Sequence, residues 1–584
     1  MSEPQDAAGK KRGLRLVPGI IIVSLQWIIR FVLPVIVPDA LQIAVFAGLI
    51  GGLALAVWWL FFSRAPMLDR WGAFILVIAA LVGTSFLLDV SIATANMGLM
   101  FILFSVPVVC LVFIVWAIAF GSLPDVPRRI TMVAAILLAS GFWICLRTDG
   151  MDAELNHAFA WRWAPTHEKR MLAKTGTESS ALLPSGKATD TKVQWPGFRG
   201  AARDSIIRGV KIATNWTVSP PVLLWRSPVG PGCSSFAVQG DVFFTQEQLG
   251  DYEIVSCYNI SNGKPVWQHR DKARFYDSHA GPGPRATPTL AGGRVYTLGG
   301  TGILNVLDAG SGKVLWSRNA AADAGIKALT WGFTGSPLVA GDLVIISLTG
   351  KLVAYDIASG KQKWAGANGG KSYSSPHPVT IDGIAQILLM SDSGVVSVEP
   401  VGGKQLWKYD WKSDDRILQP AVTGNDILLS ADGEIGIRRI AVSNHNDSWS
   451  VKNIWNSSEL KLNFNDFIIH KGYAYGFDGS SIACITVKDG RRVWKGNRYR
   501  GWLLLLADQD LLLVLSERGE LALVPAIPDR FMESARIQAI KGKTWNHPVL
   551  AGDILLVRNA VEMAAFRLTL MKQDNQSVSK MSGK

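Results

Sequence analysis

The chain has 584 residues, 49% of them hydrophobic and only 18% charged, and its mean hydropathy is +0.22. Nearly all of the apolar excess lies before residue 147, which excludes a disordered chain, a collagen-like chain and one embedded in a bilayer throughout. The net charge of +13 is dispersed except for Lys10-Lys11-Arg12 and Arg15, directly before an apolar span, so no nucleic-acid partner is expected.

Five apolar stretches have spanning length, about 20 residues for a hydrocarbon core near 30 Å. They run approximately Val17–Val37, Ala40–Phe62, Trp71–Leu88, Met97–Phe120 and Ile130–Leu146. Arg64 and Arg70 follow the second stretch, and Arg128 and Arg129 follow the fourth, whereas Pro38–Asp39 and Asp89–Asn96 contain no Lys or Arg. This alternation predicts a cytoplasmic amino terminus and places everything after Arg147 outside. Residues 1–147 are therefore expected to be a membrane anchor of five helices. The spans hold no inward Asp, Glu or His relay, which argues against a transporter.

Residues 148–192 are expected to form a short amphipathic helix over Ala153–Lys174 and then a polar linker. Beyond them a phrase repeats: an apolar run, an acidic or turn residue, then Gly-Lys-x-x-Trp. It ends at Trp267, Trp316, Trp364 and Trp407, closely at Trp494, and in degenerate form at Trp225, Trp455 and Trp545. These eight tryptophans are 39–51 residues apart. That period, with four short strands in each, predicts a propeller blade per repeat. Asp308 and Asp356 suit turn capping, Gly312 and Gly360 suit the positive φ of a tight hairpin, and each Trp suits burial against the next blade. After Trp545 only three strands remain, so Val222–Trp225 is expected to supply the fourth. Residues 193–570 then form an all-β eight-bladed propeller, and residues 571–584 a polar tail.

Trp195-Pro196-Gly197-Phe198-Arg199-Gly200 and the repeated Asp-x-x-x-Gly-Lys-x-x-Trp phrase resemble the pyrroloquinoline-quinone-repeat (PQQ-like) β-propellers. The resemblance covers about residues 193–570 and implies the fold. It leaves two functions open, because the superfamily includes quinone-dependent alcohol and sugar dehydrogenases as well as a cofactor-free lipoprotein of outer-membrane protein assembly. The dehydrogenases hold their quinone under a disulfide between adjacent cysteines, beside Ca²⁺. Here Cys110, Cys145, Cys233, Cys257 and Cys484 are all separated, and no metal or nucleophile motif with diagnostic spacing appears.

The residue before each innermost strand should face the central funnel. Alignment gives Ser235, Thr287, Ser336, Ser375, Gln419, Asp466, Leu503 and His547, with Arg285, His377, Asn465 and Asn546 beside them and Trp331 a few residues before its strand. Arg285, Trp331, His377, Gln419, Asn465, Asp466, Asn546 and His547 are thus candidates for binding a polar or anionic ligand, against the alternative of a water-filled polar channel. No catalytic residue, no resident metal and no cofactor is expected. The favoured reading is a protein-interaction scaffold anchored in the bacterial inner membrane, its propeller periplasmic and its partners envelope proteins. The other is a quinoprotein oxidoreductase holding PQQ and Ca²⁺ and passing electrons to membrane quinone.

Overall fold

A computed structural model of the chain describes residues 14–37, 40–152, 157–175, 192–413, 416–431, 435–462 and 464–571. The basic run at residues 10–12, most of the expected linker and the tail after Met571 lie outside these residues. The chain divides into two compact units, Met1–Pro165 and Thr166–Lys584.

Among its described residues the first unit contains five helices long and apolar enough to cross a membrane: Leu16–Ile36, Ile43–Phe61, Met67–Ser85, Met100–Phe120 and Asp125–Cys145. Their few polar groups turn inward, because lipid offers no hydrogen bonds. Gln26 Nε2 donates to the Gly48 carbonyl at 2.7 Å, and Trp27 Nε1 to that of Pro107 at 3.2 Å. A Cβ at Gly51 would lie 2.6 Å from the Gln26 side chain, so the missing side chain sets how closely these helices approach. Arg30 is buried over the rings of Phe31 and Phe104, 5.0 and 4.9 Å from their centroids. Asp69 accepts ion pairs from Arg128 at 2.5 Å and Arg129 at 2.7 Å, tying the third helix to the fifth at one end of the unit.

The expected helix over Ala153–Lys174 is not what forms. Among the described residues of this stretch, His157–Trp161 are a strand paired with Leu146–Met151, and only His167–Thr175 is helical. The alternation in His157-Ala158-Phe159-Ala160-Trp161 is the reason: Phe159 packs 5.8 Å from Trp143, Trp161 packs 6.0 Å from Phe142, and the paired backbone continues the fifth helix.

The second unit is an eight-bladed propeller of antiparallel four-stranded sheets. Blade 1 starts with the innermost strand Ala237–Gln239, followed by Thr289–Ala291, Leu338–Ala340, His377–Ile381, Ala421–Thr423, Ile468–His470, Trp502–Leu506 and Val549–Ala551 for blades 2 to 8. Blade 8 lacks an outer strand of its own. Val222–Pro228 fills the place, pairing with Glu562–Arg567 from Pro228 opposite Glu562 to Val222 opposite Arg567. The ring is therefore closed by hydrogen bonds between its two ends, and blade 8 keeps no unpaired outer edge from its own chain terminus.

The Gly-Lys-x-x-Trp phrase is an instrument for docking one blade on the next. Gly263, Gly312, Gly360, Gly403 and Gly490 all have positive φ. A Cβ at these positions would come within 2.5–2.8 Å of the rings of Trp225, Trp267, Trp316, Trp364 and Trp455, each from the preceding blade. Each ring fills the space that the glycine leaves. The indole N–H then donates into the same turn, from Trp225 to the Ile260 carbonyl at 2.8 Å and from Trp267 to that of Ala309 at 3.1 Å. Trp407 donates instead to Gln386 Oε1 of its own blade at 2.8 Å, because the corresponding turn of blade 5 is Asn446-Asp447 without a glycine. Trp494 follows the usual pattern, donating to the Ile527 carbonyl at 2.9 Å. Trp545 is a correction. It lies in the loop before blade 8, its N–H on Glu517 at 2.5 Å, whereas the outer strand of blade 7 is Ala535–Gln538 and has no tryptophan.

Candidate functional site: the axial channel

Two faces follow from the strand order. Loops that lead into the innermost strands form one, the lead-in face; the hairpins closing first to second and third to fourth strands form the other, the hairpin face. The polar residues expected around the funnel sit at the lead-in end of the channel and bond around its circumference. Ser235 Oγ donates to the His547 carbonyl at 2.5 Å, and Ser235 N–H to Thr287 Oγ1 at 3.0 Å. Thr287 N–H donates to Ser336 Oγ and Ser336 N–H to Ser375 Oγ, both at 2.9 Å, and Gln419 Nε2 reaches the Ser375 carbonyl at 3.3 Å. Asn465 Nδ2 bonds the Gly501 carbonyl of the next blade at 2.8 Å, and Asn546 Nδ2 bonds those of Gly232 and Ser234 at 3.0 and 2.8 Å. This belt satisfies backbone groups that inner strands otherwise leave open. Leu503 does not join it, because it lies within the first strand of blade 7 and is fully buried.

The channel is also occupied by the chain itself. Val193–Trp195 runs antiparallel to the innermost strand of blade 1, and Ile206–Ile207 runs parallel to that of blade 7. The segment thus enters from the hairpin face, turns at the belt and returns. Gly209 N–H on Asp508 at 2.5 Å and Ile212 N–H on Gln509 at 2.7 Å fasten its exit. The turn is tight: Arg199, Gly200, Arg203 and Ser205 all have positive φ, three of them with side chains that disfavour it.

Two arginines of this plug decide what the funnel residues do. Arg199 and Asp466, both buried, form an ion pair at 3.1 Å, while Arg199 Nε donates to Ser205 Oγ at 2.9 Å and Nη2 to the Phe467 carbonyl at 3.1 Å. Burial raises the Asp466 pKa above the ordinary carboxylate value, and Arg199 opposes that rise. His547 is engaged at both nitrogens, Nε2 with Ser205 Oγ at 3.0 Å and Nδ1 with the Pro548 carbonyl at 2.7 Å. Burial, aided by the Arg199 charge, lowers its pKa to about 3, so it is neutral at physiological pH. His377 is lowered to about 3 by burial and by Arg199 and Arg203. Arg203 reaches blades 3 and 4, donating to the carbonyls of Ser336 at 3.3 Å, Pro376 at 2.9 Å and Pro337.

Arg285 and Trp331 stand apart, on the lead-in face. Arg285 is buried against Asp277 and the carbonyls of Gly281 and Pro282, with its guanidinium 5.2 Å from the Phe275 ring centroid. Trp331 packs 4.6 Å from Tyr373 and 6.3 Å from His279. Lys543 bridges toward them, its amine 4.2 Å from the Trp545 ring centroid and bonded to the His279 carbonyl at 2.9 Å. Of the residues expected to share a site, Asp466 and His547 both meet the plug, through Arg199 and Ser205, whereas Arg285 lies apart, and the sequence pattern did not single out Arg199 and Arg203 as axial residues. The available signal was two arginines four residues apart in a turn-rich stretch, adjoining strands too short to stand alone.

Residues 218–376 match the sequence profile described as outer membrane protein assembly factor BamB. A protein of that name from Yersinia pestis is 24% identical over 365 residues, spanning 58% of this chain and 86% of the relative. One from Shewanella oneidensis is 26% identical over 222 residues, 36% of this chain and 51% of the relative. The propeller is similar to BamB and resembles the PQQ-like β-propellers. Among solved structures, BamB from Moraxella catarrhalis aligns over 59% of this chain and 97% of its own, at 16% identity and a TM-score of 0.42. Quinohemoprotein alcohol dehydrogenase from Comamonas testosteroni aligns over 68% of this chain and 84% of its own, at 13% identity and a TM-score of 0.46.

The described residues of this PQQ-like propeller are a poor fit to a quinone with a divalent ion. Among them no group of three His, Cys, Asp or Glu side chains is arranged to hold a cation. Asp466 is already neutralised by Arg199, and Arg285 by Asp277. Cys233, Cys257 and Cys484 are free thiols.

Proposed function

We propose that the chain is a scaffold anchored in the inner membrane, whose PQQ-like propeller stands in the periplasm and binds proteins of the cell envelope through its faces. The observation that supports this most is the occupied axis: Arg199 on Asp466 and Ser205 against His547 use the chain's own atoms where a funnel ligand would bind. The two faces then offer the broad surface for recognising a folded partner. The relatives' designation as outer membrane assembly factors supports partners of that compartment. Photo-crosslinkers placed at exposed Lys412 on the lead-in face and exposed Lys313 on the hairpin face are the direct test. One face is expected to yield discrete adducts with envelope proteins, and adducts from neither would defeat the reading.

The orientation is tested separately. A reporter that needs export, fused after Arg147, is expected to be active, and a cytoplasm-only reporter silent, because the arginine-bearing loops favour the cytoplasmic side. The reverse pattern would place the propeller inside the cell.

The quinoprotein reading is tested by supplying PQQ and Ca²⁺ to the purified protein. Three carboxylates on the cofactor require cationic or metal partners, yet Arg199 and Arg285 already pair with Asp466 and Asp277, which leaves Arg203 alone of these arginines to meet three charges. No stoichiometric quinone absorbance and no dye-linked alcohol or sugar oxidation is expected. Binding that disappears in Arg285→Ala would reverse the assignment.

A further inference from the structure

Between the returning plug and the innermost strands of blades 4, 5 and 6 lies a cavity of about 230 Å³. Arg203, Asp204 and Ile206 of the plug line one side; His377, Val422 and Ile469 line the other. Pro378, Thr380 and Ala202 on its walls are exposed, so it communicates with solvent. It is smaller than the roughly 300–1,000 Å³ of pockets for drug-sized ligands, which restricts an occupant to a small acid or one end of a chain.

Its chemistry is uneven. Arg203 is 4% exposed and, among the described residues, is held only by three backbone carbonyls, with no carboxylate in ion-pair range. Its Nε takes no part in these bonds, and the residue lines the cavity. Burial lowers its pKa to about 10 with no charged group opposing the loss. A guanidinium withdrawn from water without a counter-charge is a standing cost that a bound anion offsets. His377, 5% exposed, adds a second polar group: its Nδ1 lacks a partner in bonding geometry, although the Gln419 amide is near enough to favour its protonation slightly. The opposing charge is Asp204, half-buried, whose Oδ1 is committed to the Ile206 N–H at 3.0 Å. Ile206, Val422 and Ile469 make the remaining wall apolar.

We propose that this cavity binds a small organic carboxylate, its charge on Arg203 Nε and the His377 ring and its hydrocarbon part against Ile206, Val422 and Ile469. The carboxylate belongs either to a free short-chain acid or to the carboxyl terminus of a peptide. Titration calorimetry on the full-length protein in detergent, with butyrate, butyramide, and a Gly-Gly-Val peptide with free or amidated terminus, tests the proposal and separates the sources. Saturable binding of butyrate assigns a free acid; binding of the free-ended peptide without butyrate assigns a chain terminus. In either case the carboxylate is expected to bind at least about tenfold more tightly than its amide, as a hydrogen bond to a charged group requires. Arg203→Gln should reduce it to the level of the amide. Val422→Phe, which fills the cavity without touching the cation, should abolish binding at an unchanged melting temperature. Equal binding of acid and amide, unchanged binding in either variant, or no binding of either carboxylate overturns the proposal.

Discussion

Arg199→Ala is expected to destabilise the propeller by about 3–5 kcal/mol, because it strands Asp466 as an uncompensated charge in a buried site. Asp466 is 2% exposed, and its Oδ2 receives no well-aligned hydrogen bond, so the arginine's charge is what makes ionisation tolerable. The same substitution removes the donors to Ser205 Oγ and to the Phe467 carbonyl, which hold the strained turn against blade 6. The pH dependence has a definite sign. A carboxyl whose folded pKa is raised gives stability that is present at low pH and lost as pH rises through that value. Removing Arg199 raises the Asp466 pKa further, so the deficit should be largest at alkaline pH, where the carboxyl is forced to ionise, and shrink as the pH falls and it takes up a proton. Adding Asp466→Asn should restore most of the loss by deleting the charge. Melting temperatures of the wild type and the two variants across pH check this, and an Arg199→Ala variant matching wild type at every pH would contradict it.

Deleting residues 193–228 is expected to give a chain that aggregates, since both the plug and the closing strand disappear. The exposed edge would be Glu562–Arg567, which in the intact ring pairs with Val222–Pro228. Blade 1 would also lose the Trp225 ring, stacked on Phe243 with centroids 5.8 Å apart and seated where Gly263 has no side chain. The closing strand and the plug are separable. Replacing only residues 196–205 with a flexible Gly-Ser linker should leave a soluble monomer with a lowered melting temperature, because closure survives while the axial contacts do not. Size-exclusion chromatography in detergent distinguishes the two. A monomeric 193–228 deletion with wild-type melting behaviour would mean that ring closure does not depend on the amino-terminal strand.

The architecture was written in the chain because its determinants are local and repeated. Spans of apolar residues follow from bilayer thickness alone, and the Gly–Trp spacing follows from the contact between a glycine turn and the indole of the preceding blade. The missing fourth strand after Trp545 even announced that the ends must share a blade. The expected helix at residues 153–174 failed because pairing between Leu146–Met151 and His157–Trp161 outweighed a helical pattern of side chains. Trp545 was misassigned because composition at a repeat interval does not reveal whether a residue lies on a strand or in the preceding loop. What only the tertiary structure decided is the use of the axis. The sequence pattern turns Ser235, Thr287, Ser336 and Ser375 towards the funnel, yet each bonds to its neighbour around the ring, a relation between residues some 40–50 apart. Arg199 and Arg203 carry no local sign of partners at Asp466 and Pro376, more than 170 positions away. Periodicity encodes contacts between successive blades, but a segment passing through the centre touches most of them at once. Its partners are fixed only when the ring has closed around it.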